Sequence, residues 1–96
     1  MGKYRFEPSF YEWHLVGENG EILLNVPDGI VDDCETMDDL RFVIEDLPSQ
    51  ASDAVSSRED LYGIDVTRFV HDGIGEDKAV ISLMENTLAS HFGIIA

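Results

Sequence analysis

The run Phe10-Tyr11-Glu12-Trp13-His14-Leu15-Val16-Gly17-Glu18-Asn19-Gly20-Glu21-Ile22-Leu23-Leu24-Asn25-Val26 decides the fold. Its two ends are aromatic and branched, the composition of strands, and Asn-Gly between such segments is a strong hairpin signal because both residues accept positive φ. With Asn19-Gly20 as a two-residue loop, Val16 faces Leu23, Leu15 faces Leu24 and Trp13 faces Val26. Trp13, Leu15, Leu24 and Val26 then share one apolar face, while His14, Val16, Leu23 and Asn25 lie on a mixed one. Glu18 opposite Glu21 sets two like charges together.

Outward from the hairpin, residues 3–7 read as a short strand closed by Pro8-Ser9, and Pro27-Asp28-Gly29 as a turn. Thr36 with Asp39 three residues on resembles a capping box. Met37, Leu40, Val43, Ile44 and Leu47 follow at helical spacing, and Pro48 is expected to end that helix. Residues 49–60 are small and polar, a flexible connection or a weak helix. Residues 61–74 are ambiguous: alternation favours a strand at 64–71, although Val66, Phe69 and Val70 also suit a helix. A last helix is expected over about 76–92, its stripe made by Val80, Leu83, Met84, Thr87, Leu88 and His91, with Gly93 as its cap and Ile94 folding back. The expected fold is α+β in one domain, 1–96: a small antiparallel sheet with amphipathic helices at about 37–47 and 76–92 on one face.

The segments Tyr11-Glu12-Trp13-His14-Leu15 and Asn19-Gly20-Glu21-Ile22 resemble the ββα unit of the YegP-like family. The resemblance spans about residues 4–47 and implies an antiparallel sheet followed by a helix. Pro27-Asp28-Gly29-Ile30 stands where that family tends to have Gly-Tyr, and no second unit is recognisable. The family implies no established activity, so no functional residue carries over.

Twenty carboxylates against six Lys and Arg give a net charge of −14 in 96 residues. Phosphate backbones and anionic membranes are disfavoured partners, since both are bound through Lys and Arg. A basic protein surface is favoured, approached quickly and in a salt-sensitive way. The single Cys34 leaves no internal disulfide framework, and residues 1–8 lack the apolar core of a signal peptide, so a cytoplasmic location is expected.

No motif specifies a reaction. Asp28 to Asp39 fails as a calcium-binding EF-hand loop because Ile30 occupies a ligand position. Gly73-Ile74-Gly75-Glu76-Asp77-Lys78 lacks the glycines and the Ser or Thr of phosphate loops. Cys34 lies among Asp32, Asp33 and Glu35, which oppose a thiolate, and reads as a half-buried structural thiol. Neither a metal nor a cofactor is expected, and acid–base catalysis has no marked carboxyl.

The distribution of charge is more specific. Residues 28–46 hold Asp28, Asp32, Asp33, Glu35, Asp38, Asp39, Glu45 and Asp46 against Arg41 alone, a net −7 and half of the chain's −14. On the first helix Asp38, Asp39, Glu45 and Asp46 project opposite the apolar stripe, with Phe42 in their midst. An aromatic ringed by carboxylates reads as an interface anchor with a charged rim; the alternative is that residues 48–60 cover it. The expectation is a non-catalytic protein that offers Asp38, Asp39, Phe42, Glu45 and Asp46 to a basic surface, with Asp28, Asp32, Asp33 and Glu35 as a secondary cluster. Its concrete form is an inhibitor that imitates nucleic-acid charge in the groove of a nuclease or CRISPR-type complex, and small phage-type inhibitors are similar in size and charge. The competing expectation is a YegP-like protein of a halophile, whose acidity is salt adaptation.

Overall fold

A computed structural model describes residues 3–94. Three strands form an antiparallel sheet in the order β1-β2-β3: β1 (Arg5–Ser9), β2 (Glu12–Val16) and β3 (Ile22–Pro27). They are followed by a 3-10 turn at Asp28–Ile30, α1 (Met37–Ser57), α2 (Thr67–His71), a second 3-10 turn at Ile74–Glu76 and α3 (Lys78–Phe92). The α+β class expected from the sequence is the class observed.

The hairpin pairs Leu15 with Leu24 and Trp13 with Val26, as the Asn-Gly turn predicts. Its loop is one residue longer than expected. Gly20 N–H donates to the Gly17 carbonyl and Gly17 N–H to that of Glu21, so Glu18, Asn19 and Gly20 form the turn, with Gly20 at φ 82°. A register shift then places Val16 opposite Ile22 rather than Leu23. Glu18 and Glu21 are therefore not an opposed pair; Glu21 accepts from the Asn19 N–H and from Arg68 Nη1 at 2.7 Å.

β1 runs on through Pro8 and Ser9, and Phe10-Tyr11 form the turn into β2 instead of the start of a strand. Proline survives there because β1 is an edge strand, where a missing donor is tolerated. Phe6, paired with Leu15, stacks on Trp13 at 5.4 Å between ring centroids. Phe6, Trp13, Leu15, Leu24 and Val26 make the sheet's contribution to one core, completed by Leu40, Ile44 and Leu47 from α1, Phe69 from α2 and Val80, Met84 and Leu88 from α3.

The mixed face is more covered than the alternation implies. Asn25 is only 5% exposed, and its Nδ2 donates to Glu12 Oε1 and to the Tyr62 carbonyl, both at 3.3 Å. Glu12 also bonds His14, and the Tyr62 hydroxyl reaches Gln50 on α1. The 61–64 turn thereby ties the outer side of the sheet to the long helix.

Two expectations about the helices are corrected. α1 does not stop at Pro48 but continues through it to Ser57, so 49–57 is neither a loop nor a covering segment. The buried stripe explains this: Leu40, Ile44, Leu47, Ala51 and Ala54 alternate steps of four and three across the proline. Packing on both sides of Pro48 outweighs a helix-interior proline penalty of about 3 kcal/mol. Residues 64–71 are not a strand: Leu61 and Ile64 form an isolated bridge, and Thr67–His71 is helical. Val66 and Phe69 point into the core at helical spacing, and only one short helix fits between the bridge and Gly73.

The caps follow the sequence. Thr36 and Asp39 form the capping box at the start of α1. Asp77 accepts from the Ala79 N–H at 2.9 Å and is the cap of α3, which begins at Lys78 rather than Glu76. Gly93 closes α3 at φ 68°, and Ile94 turns back so that its N–H donates to the Ala89 carbonyl. His91 lies on the exposed side of the stripe, edge-on to Trp13 at 4.9 Å. No helix among the described residues is long and apolar enough to cross a membrane.

Candidate protein-binding face

α1 has 21 residues, and its length is about 32 Å at the ordinary helical rise. With the buried stripe turned to α2, α3 and the common core, the opposite side faces solvent and holds Asp38, Asp39, Arg41, Phe42, Glu45, Asp46, Ser49 and Asp53, all exposed. Phe42 is 78% exposed. The helical continuation past Pro48 carries residues 49–57 along the axis and away from it, so the covering alternative is overturned.

The carboxylates around Phe42 have different duties. Asp38 is almost entirely in water and accepts from Arg41 Nη1 at 3.2 Å, one turn along the helix. Asp46 accepts from Gln50 Nε2 at 2.7 Å. Glu45 faces solvent at the edge of a cleft towards α3. Asp39 is committed to the fold: its Oδ2 accepts the N–H groups of Glu35 and Thr36 at 3.1 and 3.2 Å. Those two bonds hold its carboxyl below the usual range. The structure thus brings Asp38, Phe42, Glu45 and Asp46 together on one free face, with Asp39 beside them as a cap.

The secondary cluster divides. Asp32, Asp33 and Glu35 are exposed in the connection between the first 3-10 turn and α1. Asp28 is half-buried; its carbonyl accepts from Val31 and Asp32, and its own N–H donates to the Tyr11 carbonyl at 3.0 Å. Cys34 between them is half-buried, and burial, then Asp39 and Asp33, push its thiol up, against nucleophilic use. Among the described residues no three His, Cys, Asp or Glu side chains converge as a metal site would require.

Two features escaped the sequence reading. One is the Phe10–Tyr11 turn, both rings out in solvent. The sequence signal was Pro8-Ser9 ahead of two aromatics, and it resembled a strand boundary. The other is Glu85 on α3, half-buried in the cleft with Glu45, Pro48, Lys78 and Ser82. Burial raises its carboxyl and the Glu45 charge raises it further, with Arg41 opposing. No spacing rule within one helix brings Glu45 and Glu85 together.

No protein-family model, curated protein or solved structure matches the chain.

Proposed function

We propose that the protein is a non-catalytic binding protein that presents the outer face of α1 to a basic protein surface, in the manner of an inhibitor that occupies a nucleic-acid-binding site. The observation that carries this reading is Phe42, 78% exposed on the second turn of α1 and flanked by Asp38, Glu45 and Asp46. Leaving a large ring in water forgoes its burial, and such rings are enriched as anchors where a charged rim surrounds an apolar centre.

Charge density refines the kind of mimicry. From Asp38 to Asp53 the face carries five carboxylates over a rise of about 22 Å. Duplex DNA carries about one charge per 1.7 Å. The face is therefore a sparser negative surface with an apolar centre, suited to a basic site that also offers a hydrophobic pocket.

Competition assays against purified nucleases, restriction enzymes and CRISPR effector complexes test the reading. The wild type is expected to displace nucleic acid, and Phe42→Ala with Glu45→Lys and Asp46→Lys to weaken displacement about 100-fold or more. Asn86→Lys with Ser90→Lys, exposed on α3 and outside the cleft that Glu45 lines, should change it little. Equal loss in both variants, or none in the first, overturns the assignment of the face.

A second reading, salt adaptation in a YegP-like protein, draws on the exposed carboxylates elsewhere, at Glu59, Asp60, Asp65 and Asp72. It requires molar salt for folding. The binding reading expects a cooperative fold at about 0.15 M, where screening already acts over about 8 Å.

A further inference from the structure

We propose that the Phe10–Tyr11 turn is a second contact point of the same binding surface, seating in an apolar pocket whose rim on the partner protein carries Lys and Arg; this rests on the reading of α1 given above. The two rings meet edge to face with 4.3 Å between centroids, yet remain 81% and 73% exposed. Core packing does not require them. The turn needs positive φ at Tyr11, 60°, which Gly or Asn adopts at little cost and a bulky aromatic does not. The chain thus keeps an aromatic where backbone geometry favours another residue and where solvent, not protein, surrounds it. Uncovered aromatic area held on a strained turn is the pattern of a ligand contact.

Charge and continuity identify the occupant. Through the Asp28 N–H, the turn is bonded to the first residue of the acidic run that passes by Asp32, Asp33 and Glu35 into α1. The turn thus adjoins the residue where that run begins, and carboxylates on the same stretch of chain favour the same kind of basic surface as at Phe42. A lipid bilayer is a poorer occupant, because anionic headgroups repel a chain of −14. A second copy of the chain is disfavoured by the same self-repulsion.

A photo-crosslinking amino acid placed at position 10 or at position 42 of the full chain, expressed in the organism that encodes it, tests the proposal. Both positions are expected to trap one and the same protein, with the position-10 adduct among apolar residues flanked by Lys or Arg. The proposal is overturned if position 10 reaches lipid, a second copy, an acidic surface, a different protein or nothing. In those cases the α1 reading survives as long as position 42 still traps a basic protein; if neither position does, both fail. Tyr11→Gly, alone and with Phe10→Ser, separates contact from folding. The unfolding midpoint should hold or rise, while affinity for the trapped protein falls at least about tenfold. A lowered midpoint with unchanged affinity would show that the rings serve the fold.

Discussion

Both α1 and α3 open on a side-chain cap and bury a stripe at helical spacing, Leu40, Ile44, Leu47, Ala51 and Ala54 on one, Val80, Met84 and Leu88 on the other. Their outer sides differ. The exposed positions of α3 are Lys78, Ala79, Ser82, Asn86, Ser90 and His91, without a carboxylate, whereas α1 exposes Asp38, Asp39, Glu45, Asp46 and Asp53 around Phe42. Both helices must be solvated, and α3 achieves it with neutral and basic groups. The acids of α1 therefore exceed what solvation of a helix requires. A chain adapted to salt throughout would spread carboxylates over both.

The largest effects lie under the contrast. Leu47→Ala on α1 and Leu88→Ala on α3 should each cost about 2–5 kcal/mol, read by urea unfolding. Phe42→Ala should stay within about 0.5 kcal/mol. A Phe42→Ala loss as large as that of Leu47→Ala would make the ring a packing residue and erase the distinction between the helices.

Next comes the approach of α1 to the turn that leads into α3. A Cβ on Gly75 would stand 2.8 Å from Phe69 Cε2 and 3.2 Å from Pro48 Cβ. The Phe69 ring is fully buried, so Gly75→Ala should cost about 1–3 kcal/mol by overpacking. Near-neutral unfolding curves would mean that α1 and the turn slide apart easily and that the outer faces are not held in fixed relation.

A smaller effect concerns Glu85, the one acid of α3, which faces Glu45. Its carboxyl is raised in the folded chain by burial first and by Glu45 second. Above the unfolded value the folded state then holds more protons than the unfolded one, so stability falls as pH rises through the raised range. Glu85→Gln should raise the thermal midpoint more at pH 7 than at pH 4. Asp39 works in the opposite sense: lowered by the Glu35 and Thr36 N–H groups, it contributes above its unfolded value and is lost as pH falls through the folded one. Equal gains for Glu85→Gln at both pH values would remove the coupling between the helices.

The smallest effect is at the C-termini. α1 ends on Arg58 in the left-handed region at φ 59°, and α3 on Gly93 at φ 68°. Arg58→Gly should stabilise by about 0.5–1 kcal/mol, and Gly93→Ala should destabilise by a similar amount. Calorimetry on the two variants checks the pair.

The hairpin was legible because one dipeptide, Asn19-Gly20, demands positive φ and the alternation around it has one sensible register. It failed by a single residue because a two-residue and a three-residue loop share that dipeptide, and the register shift beside Leu15 leaves no mark in sequence. Pro48 misled in the other direction. Its local penalty is visible, whereas the reward, Ala51 and Ala54 against the core, rests on small residues that read as polar linker. The acidic face of α1 was legible from periodicity alone. The exposure of Phe42 was not, because it depends on where residues 49–57 go. Phe10 and Tyr11 were hidden for a related reason: nothing in an aromatic pair says whether it lies in a strand or caps one.

Pro8 in β1 has a consequence for the protein at high concentration. Among the described residues β1 is bonded only to β2, so its far side is a row of backbone groups of the kind to which chains add strand upon strand. A proline and the charged side chains of Arg5 and Glu7 occupy that border, and together they deny an incoming strand a regular ladder. A chain that exposes aromatic rings at Phe10, Tyr11 and Phe42 would otherwise combine sticky rings with a sticky edge. By blunting the edge, the sheet leaves the exposed rings without an adjoining backbone ladder that would drive the protein into fibres.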